Sequence, residues 1–439
     1  MPTSISQITI FTRLPEPGES KTRLIPVLGE HAAADLQRRM TEHVVRQARI
    51  VAAREPSLVT VALANGSTVA GRRWLGVPCT LQRGDDLGAR LEHAFGEGAR
   101  RAHVTTVVGG DCPTVIASDL LDARAHAGRT GAAIIPARDG GFCALALRRD
   151  VAEGAPGLFG SIAWGANTVC SQTVERLRTR CPEIVVMPAR QDIDVPDDLA
   201  VWDGILRDWY RPPDTLGVVL PVLNDAGLLA ELLPKLGEPG VTVVVADGGS
   251  TDSSVAVARA AGVKVVQGAR GRGAQMNAAA DMLDTDALLF LHADTHPPAQ
   301  FARLVLEALA DPSVSVGAFE FATDLASPMM RLIEFGTRLR GSMLGMPYGD
   351  QGLFCRTVLF EALGGFPEVP VMEDYEFVRA AGKAGRVRVL PERATTSARR
   401  WREQGPLRWT ALNAATVVGY KLGASHEELA AWRRAHSKR

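Results

Sequence analysis

Three apolar, β-branched runs of this chain end in acidic residues: GVVLPVLND at 217–225, VTVVVADGGSTD at 241–252 and LLFLHADT at 288–295. Such runs read as buried strands of an open α/β sheet, which binds its ligands at the carboxyl ends of its strands. Asp247 and Asp294 then face one crevice, with Gly248 and Gly249 letting a ligand approach the backbone. Carboxylates beside a nucleotide diphosphate repel it unless a divalent cation lies between them. The constellation points to a metal-dependent enzyme acting on an activated, nucleotide-linked donor.

The length of 439 residues favours two or three domains, and 46% hydrophobic residues suffice to fill their cores. A net charge of +0 and a pI near 7.1 give a nucleic-acid partner no electrostatic footprint. Six scattered cysteines without a CxxC predict reduced thiols in a cytoplasmic protein, not a zinc site or disulfide framework. MPTSISQITIFTRLPEPG lacks a basic start followed by an apolar signal core. No stretch approaches the roughly 18 apolar residues that span a bilayer.

Alternating strand and helix patterns predict two α/β halves, 1–210 and 216–439, each with a largely parallel sheet. The first opens with a strand at 8–12 and a helix over about 32–52, with further strands at 58–63, 104–108 and 132–135. RPPDT at 211–215 breaks the preceding helix and is expected to be an exposed linker. The halves share a rhythm but no residue-level repeat.

The second half resembles family 2 glycosyltransferases of the nucleotide-diphospho-sugar (GT-A, Rossmann-like) fold over roughly 216–404. The motifs that carry the resemblance, in order, are PVLND (221–225), DGGSTD (247–252), HADT (292–295), GDQGLF (349–354), Glu373-Asp374 and ARRW (398–401). The resemblance implies an inverting transfer with Mg²⁺ or Mn²⁺ on Asp294 and Asp374 as the base. It places Pro221, Asn224, Asp225, Asp247, Arg272, Gln275, Asn277 and Asp294 on the donor, and Gly349, Asp350, Gln351, Glu373, Arg400 and Trp401 on the acceptor side. Many members carry an acidic residue where His292 stands.

The chemistry suits these residue types. An attacking hydroxyl needs a carboxylate base. The leaving diphosphate gains charge, which a metal and cations stabilise. GARGRGAQMN at 268–277 puts Arg270 and Arg272 just before a helix, and both arginine and a helix N-terminus suit phosphate. Singly, each motif has a structural counterpart. DGG is a turn, Glu373-Asp374 a helix start, ARRW a basic patch with a packed Trp, and His292 a satisfied core histidine.

In the first half, FTRLPEPGESKTRL (11–24) is not a Walker A loop, because Ser20 stands where that motif needs Gly before the Lys. With QRGDDLGARL, VVGGDCPT, ARDGGFCALAL, WG and DIDVPDDL, it resembles the nucleotidyltransferases of molybdopterin and deazaflavin cofactor synthesis across nearly all of 7–200. That resemblance implies a second GT-A-like sheet, with Arg13, Lys21 and Arg23 on phosphates. It also implies a divalent metal shared by Asp111 and Asp194, and Asp139, Gly140 and Gly141 on the substrate side. The other reading of DID followed by PDD is a helix-capping acidic cluster.

The tandem resembles fused proteins assigned to arsenosugar biosynthesis. It implies a bifunctional enzyme in which one half prepares or binds an activated sugar and the other transfers the glycosyl group to a small-molecule or lipid acceptor. Two alternatives stand beside it: a glycosyltransferase carrying a silent nucleotide-binding scaffold, and a lipid or carotenoid glycosyltransferase at a membrane surface. The latter draws on Leu407, Trp409, Leu412, Val417, Tyr420 and Leu422 at near-helical spacing, which suit either a peripheral membrane contact or packing on the chain's own domain.

Overall fold

The computed structural model of the chain describes residues 5–181, 183–268 and 271–437, with the side chains at 339, 340, 342–344 and 437 outside the description. Arg270 of the glycine-rich run falls outside the described residues. The chain divides into two compact units, Met1–Asp208 and Trp209–Arg439.

The first unit is built on a seven-stranded sheet. Its strands are β1 (Ser6–Thr12), β2 (Ser57–Leu63), β3 (Cys79–Leu81), β4 (Val104–Gly109), β5 (Gly131–Pro136), β6 (Phe142–Arg148) and β7 (Glu183–Val186). They lie in the order β3-β2-β1-β4-β6-β5-β7. All neighbours are parallel except β6, which runs antiparallel between β4 and β5. The cause is local. The Asp139 carboxylate accepts from the Gly141 N–H at 2.8 Å, and Gly140 takes φ 92, closing a turn that sends the chain back along β5. A Cβ on Gly140 would lie 2.0 Å from the Asn167 carbonyl oxygen, so only glycine fits there.

The second unit is built on an eight-stranded sheet. Its strands are β8 (Leu216–Val222), β9 (Val241–Asp247), β10 (Lys264–Gln267), β11 (Ala287–Phe290), β12 (Thr295–His296), β13 (Val314–Thr323), β14 (Leu353–Arg356) and β15 (Arg386–Thr396). The order is β10-β9-β8-β11-β14-β13-β15-β12. β14 is antiparallel to both β11 and β13. With the two-residue β12 set aside, the second sheet repeats the strand order and orientations of the first, strand for strand. The largely parallel sheets expected are therefore mixed, each with one strand inserted in reverse. Continuous apolar runs still mark the centre, because Leu216, Val218, Leu220, Leu289 and Phe354 are buried under the flanking helices.

RPPDT differs from the expected free linker. The Asp286 carboxylate accepts from the Asp214 and Thr215 amides at 2.9 and 3.1 Å, and the Arg211 carbonyl accepts from Arg356 Nη1 at 2.7 Å. Pro213 is buried. The segment is fastened to the second unit and leads directly into β8.

Candidate functional site

The ends of β8, β9 and β11 bring three of the predicted carboxylates to one edge of the second sheet. Asp247 is only 1% exposed, and its carboxylate folds back on its own turn, accepting from the Gly249 and Ser250 amides at 3.2 Å. Burial pushes its pKa up, but the hydrogen bonds from Ser250 and its neighbours outweigh burial and hold the group below the usual carboxylate range. Asn224 takes φ 56, and its Oδ1 accepts from the Thr251 amide at 2.8 Å, locking the first strand-end loop onto the second. Pro221, two residues short of that loop, is half-buried within β8. Asp225 donates its backbone N–H to Ser254 Oγ, and its carboxylate lies near Asp294. Asp294 makes no ion pair among the described residues. Burial first, and Asp225 second, push its carboxyl above the usual range, with Arg400 and Arg399 opposing.

The Glu373–Ala384 helix supplies the next groups. It is entered through Met372 at φ 72, and its first residues are acidic, as a positive helix end favours. Both oxygens of Asp374 accept from backbone amides, Gly349 N–H at 2.8 Å and Tyr375 N–H at 2.7 Å. A Cβ on Gly349 would lie 3.1 Å from His292 Nε2 and 3.2 Å from Asp374 Oδ2, so imidazole and carboxylate meet over this glycine. His292 is held neutral, by burial first and then by Arg272 and Arg400. Glu373 is buried and ion-paired to Arg272 Nη1 at 3.2 Å. Burial and Asp374 push the Glu373 carboxyl up, and Arg272 opposes them. Arg272, Phe290, His292, Gly349, Glu373 and Asp374 all line one small cavity.

Two cations act on these acidic groups, Arg400 on Asp294 and Arg433 on Asp374 and Glu373. Arg400 and Arg433 stand over the same indole, 5.2 and 5.6 Å from the Trp409 centroid. Burial, then the charge of Arg272, weaken the proton affinity of Arg400; burial, then Arg400 and Arg272, do the same for Arg433. Sequence reasoning missed Arg399 and Arg433 as site residues. Arg433 comes from the His426–Ser437 helix, and nothing in its local pattern distinguishes it from a solvated arginine.

Several predicted contacts are engaged elsewhere. Gln275 Nε2 donates to the Val222 and Ala246 carbonyls, bridging the ends of β8 and β9. The Asn277 amide clasps the Phe366 backbone, donating to its carbonyl at 2.9 Å and accepting from its N–H at 2.8 Å. Gln351 is buried, donates to the Phe319 carbonyl and accepts from the Tyr348 amide. The Asp350 carbonyl accepts from Thr396 Oγ1. Trp401 is a core residue packed on Phe321, with its indole N–H on Thr410 Oγ1. The Pro406–Lys421 helix packs on its own unit through Trp409, Leu412 and Thr416, leaving Leu407, Val418 and Leu422 outward. Among the described residues, no helix is long and apolar enough to cross a membrane.

In the first unit the loops after β1, β4 and β7 do converge, in a different arrangement from the one expected. Lys21 Nζ lies 3.0 Å from Asp111 Oδ2 and 2.7 Å from Asp194 Oδ1. Arg23 Nη1 takes Asp194 Oδ2 at 3.0 Å. An ammonium thus stands between the two carboxylates expected to share a metal, and Lys21 is engaged by carboxylates rather than open to a phosphate. Burial alone lowers the Lys21 pKa, but Asp111 and Asp194 outweigh it and hold the ammonium charged. Asp198 performs the capping read as the alternative for PDD, accepting from the Asp194 and Val195 amides. Arg13 bonds the Glu19 carbonyl, and Asp139–Gly141 form the β5–β6 turn. Asp192, which sequence reasoning passed over, has its carboxyl raised to about 6 by burial and then by Asp139, Asp111 and Asp194. All six cysteines are free. Among the described residues, no group of three or more His, Cys, Asp or Glu side chains is placed to hold a metal ion by itself.

Known proteins fall on the same two segments. Residues 217–363, within the second unit, match the glycosyl transferase family 2 model. Residues 44–166 match DUF2064, a family described as "Uncharacterized protein conserved in bacteria". Among curated relatives, Glycosyltransferase AglJ of Haloferax volcanii is 32% identical over 31% of this chain and 46% of its own length. Succinoglycan biosynthesis protein ExoA of Rhizobium meliloti (strain 1021) is 31% identical over 38% of this chain and 58% of its own length. The chain thus spans about half the length of these relatives. A structure from Desulfovibrio desulfuricans G20, assigned as a nucleotide-diphospho-sugar transferase, aligns with 46% of this chain and 88% of its own at 29% identity and a TM-score of 0.42.

Proposed function

We propose that the second unit is an inverting, metal-dependent glycosyltransferase of GT-A type that uses a nucleotide-diphospho-sugar donor. The observation that carries this reading is that two differently held carboxylates of the second unit both lie within electrostatic reach of the arginine pair, Arg400 and Arg433, that stands over Trp409. Asp374 is oriented by the Gly349 and Tyr375 amides, and Asp294 follows a strand end with no ion pair among the described residues. The family 2 match supports it.

In this reading Asp374 takes the proton of the acceptor hydroxyl as its oxygen bonds to the anomeric carbon. The bond from that carbon to the diphosphate oxygen breaks, and the leaving group carries away the electron pair. Arg400, with Arg433 behind it on Trp409, meets the growing negative charge. Neutral His292 packs beside Asp374 without repelling or neutralising it. The residues fit a hard divalent cation, because such ions are held by one or two carboxylates and completed by substrate phosphates. Asp294 would hold it, with Asp225 adjacent, and it would stabilise the leaving diphosphate.

The first unit is read as a holder of a phosphorylated or nucleotide-activated sugar at the loops of Arg13, Arg23 and Asp139–Gly141. Nucleotidyl transfer there would need a metal at Asp111 and Asp194, and the position of Lys21 favours the scaffold alternative. The test is calorimetry of a panel of UDP, GDP, ADP and dTDP with the full chain, with and without Mn²⁺. One nucleotide should bind in a Mn²⁺-dependent manner, and Asp294→Asn should abolish that dependence. Undiminished Mn²⁺-dependent binding in Asp294→Asn removes Asp294 from the mechanism.

A further inference from the structure

We propose that Lys21 is a built-in counter-cation that takes the place of a divalent metal between Asp111 and Asp194, so that the first unit binds its ligand without one. This role for Lys21 does not require that the second unit transfer a glycosyl group.

Three observations carry it. The first is occupancy. Asp111 Oδ2 and both oxygens of Asp194 are each within hydrogen-bond distance of a cationic nitrogen, at 3.0, 2.7 and 3.0 Å. Mg²⁺ requires carboxylate oxygens at about 2.0–2.1 Å in octahedral array, and the ammonium stands where that ion would sit. Two cations, Lys21 and Arg23, face two carboxylates, so the quartet is neutral without further charge.

The second is that the lysine is built in. Its side chain is 4% exposed, against 72% for Arg23. Its backbone sits at φ 48, in the left-handed region that non-glycine residues seldom adopt. The chain bends to deliver this ammonium, and a metal could enter only by displacing a buried charge.

The third is an internal comparison. β4 and β11 hold the same place in two sheets of one topology, and Asp111 and Asp294 follow them. Asp294 has no ion pair among the described residues, whereas Asp111 is paired by a lysine from the loop after β1. The two units place a carboxylate at the same point. The first sets an ammonium against it, and the second sets no ion-pairing cation against it among the described residues.

The experiment uses the full chain carrying Asp294→Asn, which silences the second unit's own candidate ligand, and measures bound Mn²⁺ by electron paramagnetic resonance. With Lys21 intact, adding Asp111→Asn should leave Mn²⁺ binding unchanged. Lys21→Ala, or Lys21→Met that keeps the apolar stem packed, should gain a Mn²⁺ ion per chain, and Asp111→Asn should remove it again. Asp111-dependent Mn²⁺ binding with Lys21 intact overturns the proposal. So does a folded Lys21→Met chain that gains no ion. The first arm needs no change at Lys21, so the proposal stays falsifiable even if both lysine variants fail to fold.

Discussion

Replacing Asp374 by Asn separates the chemistry of this carboxylate from its structural role. Both of its oxygens accept, from the Gly349 amide at 2.8 Å and from the Tyr375 amide at 2.7 Å. Asn offers one acceptor, so its NH₂ must face one of these N–H groups. Leaving a partly buried donor unpaired costs about 1–3 kcal/mol. At about 2–4 °C per kcal/mol for a unit of this size, Tm should fall by roughly 2–12 °C. That loss is small against a typical stability of about 5–15 kcal/mol, so the variant remains folded at 25 °C. The loss of the base is a different quantity, about 10²- to 10⁴-fold in rate, or about 2.7–5.5 kcal/mol of barrier. The assay is release of nucleoside diphosphate at saturating donor, with folded fraction followed by circular dichroism and donor affinity by calorimetry. Turnover within threefold of the parent in a folded Asp374→Asn chain refutes the assignment of the base. A collapse of donor affinity with turnover at saturation preserved makes Asp374 a binding residue.

Asn277→Ala should lower stability by about 1–3 kcal/mol, because it strips both partners from the Phe366 backbone, yet leave donor affinity unchanged; loss of affinity without loss of stability in chemical denaturation would return Asn277 to the donor site. Gly349→Ala should slow turnover with little effect on donor affinity, since the added Cβ presses on His292 and Asp374; parent-like turnover would show that their geometry does not matter. Asp192→Asn tests the acidic edge of the first unit through pH. The folded Asp192 pKa is raised to about 6, so the folded state holds an extra proton and the parent loses stability as pH rises from about 4 to about 6. The variant should match the parent near pH 4 and exceed it above pH 6, by about 1 kcal/mol after allowing for solvent screening of a half-exposed group. Equal Tm values at pH 7.5 would contradict the crowding of carboxylates around it.

What could be read from residue order was local. The β-branched runs at 216–222, 241–247 and 287–290 are strands, and their acidic ends lie at one sheet edge, because strand periodicity and strand termination are written in neighbouring residues. The helix start at Glu373-Asp374 is of the same kind, since a positive helix end selects carboxylates wherever the helix is placed. The packed-Trp reading of ARRW also held, because an indole among apolar neighbours is buried more readily than it is left facing a crevice.

What only the tertiary structure decided were the pairings between distant residues. Lys21 meets Asp111 across 90 residues and Asp194 across 173, and no local pattern says that the cation will face carboxylates rather than a phosphate. Gln275 and Asn277 carry amides equally able to hold a ligand or a backbone, and the nearness of the β8 and β9 ends and of Phe366 settled it. Neither strand's composition announces the insertion of β6 between β4 and β5 or of β14 between β11 and β13. The same topology appears twice without a residue-level repeat, because backbone hydrogen bonding and burial constrain strand order while tolerating many apolar side chains. Amino-acid order thus determined the elements and the chemistry at their ends; the fold determined which charges face each other.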